Sequence, residues 1–193
     1  MTWDVADLIH RPAQLTKISA KDFDALWTNL AASDAAKAGQ AIWRLTAAPG
    51  ESVPFLKERL HAAQPADPQR LASLLSELDS DQFAVRDKAS RELQKLKDLA
   101  EPALRKALEK SPPPEARRRL DKLLAEVEGD IPSGERLRGL RAVEFLEHIA
   151  TPEARDLLQK LADGAPGARL TREAKAALER LAKRSTRAAT SVP

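Results

Sequence analysis

Residues 74–108 read LLSELDSDQFAVRDKASRELQKLKDLAEPALRKAL, and apolar side chains there return at every third or fourth position. That period belongs to a helix with one buried face, not to a strand. The stretch is read as two short amphipathic helices joined by a tight turn, and weaker copies of the layout flank it. Helix pairs of this kind are the unit of an α-solenoid, in which each pair stacks on the next and none buries its apolar face alone. The expected fold is therefore all-α: a HEAT-like α-solenoid or helical-repeat array of about nine to ten helices, counted from caps and breakers.

Composition agrees with helices. Gly occurs only 7 times, Tyr is absent and aromatics make up 4% of the chain. Such a balance favours helix over sheet. The 193 residues contain no cysteine, which excludes disulfides, thiolate metal sites and cysteine nucleophiles and sets a reducing, cytoplasmic compartment as the expectation. No apolar run approaches the roughly 20 residues of a membrane span, so no membrane partner is expected. The 32 basic and 29 acidic residues are interspersed along helix faces, a pattern of solvated surface with i,i+4 pairing.

Local signals place the helices. Ser19-Ala20-Lys21-Asp22 has the spacing of a capping box, ahead of Phe23, Leu26, Trp27 and Leu30. Asp34 is set to cap a helix carrying Ala38, Ile42 and Leu45, with Trp43 beside them. Trp27 and Trp43 are expected in the core; an exposed one would become a partner-binding candidate. Pro49-Gly50 is expected to stop that helix and Ser52 to restart the chain. Asp67-Pro68 reads as cap and first helical residue. Asp79-Ser80-Asp81 is expected to break one helix and cap the next, whose stripe is Val85, Ala89, Leu93 and Leu96. Pro112-Pro113-Pro114 forces an extended turn before an unpaired helix over 114–128. Leu137, Leu140, Val143, Leu146 and Ile149 face inward on a later helix. Thr151-Pro152-Glu153 combines a cap, a first-turn proline and a first-turn acid. Thr171 is expected to cap the last helix. This gives residues 1–18 as an extended segment and linker, 19–182 as the helical domain with a candidate hinge at 64–68, and 183–193 as a basic flexible tail.

Three segments resemble HEAT repeats. In the best, an acid at Asp81 precedes Val85-Arg86, then Ala89, Leu93 and Leu96, then Pro102-Ala103-Leu104 and Leu108. The second runs from Asp34 to Leu60 and lacks the Val–Arg pair; the third runs from Leu140 to Leu161. At the N-terminus, Trp3-Asp4 resembles the end of a WD-repeat blade. The chain as a whole is similar to the helical region that follows WD-repeat propellers in large bacterial proteins, on segments such as Ala41-Ile42-Trp43 and Phe83-Ala84-Val85-Arg86. The resemblance implies a truncated relative or a stand-alone copy of that tail, and it carries over no enzymatic activity.

The functional expectation is a non-enzymatic protein–protein interaction or scaffold module, with Gln82, Arg86, Lys88 and Arg91 as partner-binding candidates. The alternative is a nucleic-acid-binding HEAT-like module using Arg105, Lys106, Arg117, Arg118 and Arg119. Consecutive arginines fan around a helix and cannot all face one phosphate backbone, and Glu115 and Asp121 lie among them. His10, His61 and His148 match no catalytic motif. Asp79-Ser80-Asp81 lacks the glycine and distal glutamate of a calcium loop. No catalytic residue, cofactor or metal is expected.

Overall fold

The computed structural model describes residues 18–190, with side chains to Thr186. Ten α-helices and one 3-10 turn, with no strand, account for the regular structure among the described residues. They are α1 (Ala20–Leu30), α2 (Ala35–Ala47), α3 (Pro49–Arg59), α4 (Pro68–Glu77), α5 (Phe83–Leu96), α6 (Glu101–Glu109), α7 (Pro114–Gly129), α8 (Gly134–Ile149), α9 (Pro152–Ala162) and α10 (Arg169–Thr190). The 3-10 turn spans Lys97–Leu99.

Several caps form as the sequence dictates. Ser19 and Asp22 make the reciprocal box. Asp34 accepts from Ala36 and Lys37, Asp67 from Gln69, and Thr151 from Ala154. Each satisfies an amide that has no partner inside its helix. Other expectations fail for identifiable reasons. α2 ends at Ala47, as expected, but Pro49-Gly50 is already the first turn of α3, separated from α2 by Ala48 alone. Ser52 lies inside α3, fully buried, and its hydroxyl donates to the Leu45 carbonyl at 2.9 Å. Asp81 does not cap α5; the N-cap is Gln82, and its own amide donates to Ser80 Oγ. Thr171 falls in the first turn of α10, buried with its hydroxyl unpaired. The last helix also runs on to Thr190, into the stretch read as a tail. The expected blade end at Trp3-Asp4, and His10, lie outside the described residues.

Packing builds two apolar cores. The second in chain order is local: Leu74 and Leu78 of α4, Ala89 and Leu93 of α5, Leu104 of α6, and Leu120, Leu123 and Leu124 of α7. The helix over 114–128 is thus not unpaired, because α7 packs on α5 and α6. The other core is assembled from both ends of the chain. Phe23, Leu26 and Leu30 of α1, Leu45 of α2 and Leu56 of α3 meet Val143, Phe145 and Leu146 of α8, Leu158 and Leu161 of α9, and Leu181 of α10. Among chain neighbours, α1 packs on α2, α2 on α3, α4 on α5, α6 on α7, and α9 on both α8 and α10; α8 also packs on α1, α2 and α3. Its composition explains why. Ala142, Val143, Phe145 and Leu146 are all buried and span an arc of roughly 160°, wide enough to serve neighbours on two sides.

Polar contacts reinforce this closure. Arg141 of α8 donates to the carbonyls of Leu30 and Ala32, at 2.8 and 2.6 Å, so a distant side chain caps the C-terminal end of α1. Phe23 stacks on Phe55 with ring centres 4.6 Å apart, and the Arg59 guanidinium lies 3.8 Å over Phe55.

The two cores meet across a largely ionic junction. Asp98 accepts from the Arg169 amide at 2.6 Å and pairs with Arg136 at 3.3 Å. Arg136 also pairs with Asp130, and Arg172 with the buried Glu101 at 3.0 Å. Ala165 donates to the Ala63 carbonyl at 2.7 Å. The Arg136 hydrogen bond holds the Asp130 carboxyl below its usual range.

Candidate interaction surface

Trp43 departs most from expectation. It is not a core residue: it is 72% exposed. Ala38, Ala41 and Leu45 form the buried stripe of α2, and at 100° per residue Trp43 lies roughly 165° from the centre of that stripe. The same wheel was available in the sequence, so the signal was present. Residues one turn away are small or polar: Gly39, Gln40 and Ala47, all exposed, and the partly buried Thr46. Nothing stands within 4 Å of where a Cβ on Gly39 would lie. The indole therefore projects from an open face. Trp27 is half-buried, with Phe55 at its edge and Arg138 4.8 Å over its ring.

The residues expected to bind a partner divide. Gln82 and Lys88 are exposed. Arg91 is exposed too and pairs with Asp87 at 2.6 Å one turn away. Arg86 turns back on its own chain, donating to the carbonyls of Ser80 and Asp81 at 2.6 and 3.0 Å, with its Nε buried and unpaired. It clamps the α4–α5 turn, so its first role is structural.

Most of the basic cluster is neutralised. Arg105 bridges Glu101 at 3.0 Å and Glu128 at 2.8 Å, linking α6 to α7. Arg118 and Arg119 both hold Glu115, at 3.1 and 2.9 Å. Hydrogen bonding by Arg118 keeps the Glu115 carboxyl below its usual range. Arg119 is largely buried and reaches Ser90 on α5. Lys106 and Arg117 are exposed and take part in no ion pair among the described residues.

Two glutamates, Glu101 and Glu147, are buried. Glu147 receives Arg180 at 2.6 Å and Arg184 at 2.7 Å, and the Arg180 hydrogen bonds hold it below the ordinary glutamate range. That is the reverse of the raised pKa a general acid needs at neutral pH. Asp79 and Asp81 are exposed, as are His61 and His148. No group of three or more metal-ligating side chains gathers among the described residues, and no helix there is long and apolar enough to cross a membrane.

No protein family, curated protein or solved structure matches this chain.

Proposed function

We propose that this chain is a non-enzymatic protein-interaction module, with HEAT-like helix pairs as its scaffold. The observation that carries the proposal is Trp43, exposed on the outer face of α2. A large apolar side chain held on a rigid helix loses little entropy on binding, and tryptophan is enriched among residues that dominate interface energies. Gln82, Lys88 and Arg91 offer polar contacts elsewhere on the surface. Support for the HEAT-like scaffold is the packing of α1 on α2, α4 on α5, α6 on α7 and α8 on α9; the packing of α8 on α1–α3 departs from a linear stack. A cytoplasmic setting, and kinship with the helical region after WD-repeat propellers, belong to the same proposal. The nucleic-acid alternative draws little support from Arg105, which is matched by two carboxylates, or from Arg118 and Arg119, which share Glu115.

The test compares immobilised parent and Trp43→Ala protein for retention of proteins from a nuclease-treated native lysate at moderate salt. Loss of an interface tryptophan costs about 2 kcal/mol or more, roughly 30-fold in Kd. A discrete protein retained by the parent and depleted on the variant supports the reading, with thermal unfolding of the two unchanged. Equal retention refutes it. Recovery of nucleic acid alone, from untreated lysate and lost as salt rises, would favour the alternative.

A further inference from the structure

A groove of about 580 Å³ runs between α4 and α6 and ends on the start of α7. Its α4 wall is one helical ridge, Leu71, Ala72 and Leu75 with Pro68 before and Asp79 after. Its α6 wall is a second ridge of the same period, Ala103, Lys106, Ala107 and Lys110. Leu71, Leu75 and Ala107 are only partly buried and pack on the second core from above, so the groove has an apolar floor resting on a solid base. Two ridges of helical period leave a channel shaped for a third helix.

Charge decides which helix. Lys106 and Lys110 stand one turn apart along the α6 rim, both exposed, and neither forms an ion pair among the described residues. They contrast with Arg105 beside them, which is matched by two carboxylates. Asp79 is the one acidic residue in the lining, beyond the last turn of α4. Two unmatched ammonium groups at i,i+4 spacing fit carboxylates at the same spacing on a partner helix.

We propose that the α4–α6 groove binds an acidic amphipathic helix of a partner protein, its apolar ridge seated on Leu71, Leu75 and Ala107 and its carboxylates meeting Lys106 and Lys110. This deepens the interaction reading by adding a second surface and a partner chemistry, and it does not depend on Trp43.

The probe is a phage-displayed library of random helix-forming peptides about 16 residues long, close to four and a half turns. Against the parent protein, selection yields net-acidic sequences with large apolar residues at i, i+3 or i+4 spacing. Ala72 is exposed on α4, and Ala72→Arg keeps a good helix former while filling the groove. Peptide affinity falls at least about tenfold in that variant. The double variant Lys106→Glu/Lys110→Glu selects basic peptides instead, and Trp43→Ala binds the acidic peptides as the parent does. Absence of enrichment, enriched peptides without acidic character, or indifference to Ala72→Arg overturns the proposal. So does a parent dimer that Ala72→Arg dissolves, which would make a second copy of the chain the occupant. If Trp43→Ala leaves lysate binding intact while the groove still selects acidic helices, the Trp43 reading fails and the groove stands. The converse pair of results rejects the groove alone.

Discussion

Gly167 is buried in the turn between α9 and α10, where that turn meets residues 97–102 of the other core. A Cβ added there would lie 2.8 Å from the Asp98 carbonyl oxygen, 2.8 Å from Pro102 Cδ and 2.9 Å from Pro102 Cγ. Ordinary contact begins at 3.4 Å, so the neighbours must withdraw by 3.4 − 2.8, about 0.6 Å. Neither obstacle yields easily, because one is backbone and the other a proline ring. The same residues hold the junction: withdrawing Asp98 stretches its 2.6 Å bond from the Arg169 amide and its 3.3 Å pair with Arg136. Overpacking of this kind costs about 1–3 kcal/mol. The control is Gly39→Ala on α2, where the new Cβ meets nothing within 4 Å. Both substitutions stiffen the unfolded chain alike, by about 0.4–1 kcal/mol, so the gap between them isolates the steric cost. For a chain of this size the gap is roughly 2–12 °C in Tm, with Gly167→Ala lower. Thermal melts followed by far-ultraviolet circular dichroism measure it. A gap below about 1 °C, or of opposite sign, would refute the close approach of the α9–α10 turn to residues 97–102.

Further outcomes follow from single side chains. Arg86→Glu removes both bonds to the α4–α5 turn and turns a carboxylate toward carbonyl oxygens, costing about 1.5–3 kcal/mol, whereas Lys88→Glu on the exposed face changes stability by no more than about 0.5 kcal/mol. Equal chemical-denaturation midpoints for the two variants would return Arg86 to the binding surface. Glu147 titrates below its usual 4.5 in the fold because Arg180 hydrogen-bonds the ionised form, so its stabilisation is fully present above about pH 4.5 and is lost as pH falls through the lowered folded value. Glu147→Gln should therefore cost about 1–2 kcal/mol at neutral pH, after allowance for screening of the half-exposed Arg180, and should flatten the decline of Tm between about pH 5 and 3. Parallel declines in parent and variant would contradict that account.

The local layer of the structure was legible in the residues themselves. Ser19, Asp34, Asp67 and Thr151 cap helices through bonds that span only two or three residues, and such bonds depend on neighbours in the chain alone. The apolar stripes of α4 and α7 were readable for the same reason. Trp43 was legible in principle, because its angle on the α2 wheel sets it opposite Leu45 and off the apolar face on which the core expectation rests. The bonds of Arg86 to the Ser80 and Asp81 carbonyls were not legible, because they depend on the shape of a turn that the motif does not encode. Thr171 shows how tertiary packing overrides a local signal: α10 begins two residues earlier, at Arg169, whose amide is satisfied by Asp98 from the other core, 71 residues away.

What the sequence determined alone is the set of helices, since period, caps and breakers act within a turn or two. Which helix packs on which was decided by the tertiary structure. Leucine and alanine stripes are nearly interchangeable surfaces, so a linear stack and the observed closure of α8 on α1–α3 bury similar side chains. The difference lies in contacts such as Arg141 on the Leu30 carbonyl, across 111 residues, and in an α8 apolar over a wide enough arc to serve both ends of the chain. The candidate surfaces inherit this division. Trp43 is outward because of its own helix, whereas the α4–α6 groove exists only because α7 and the second core hold those two ridges side by side.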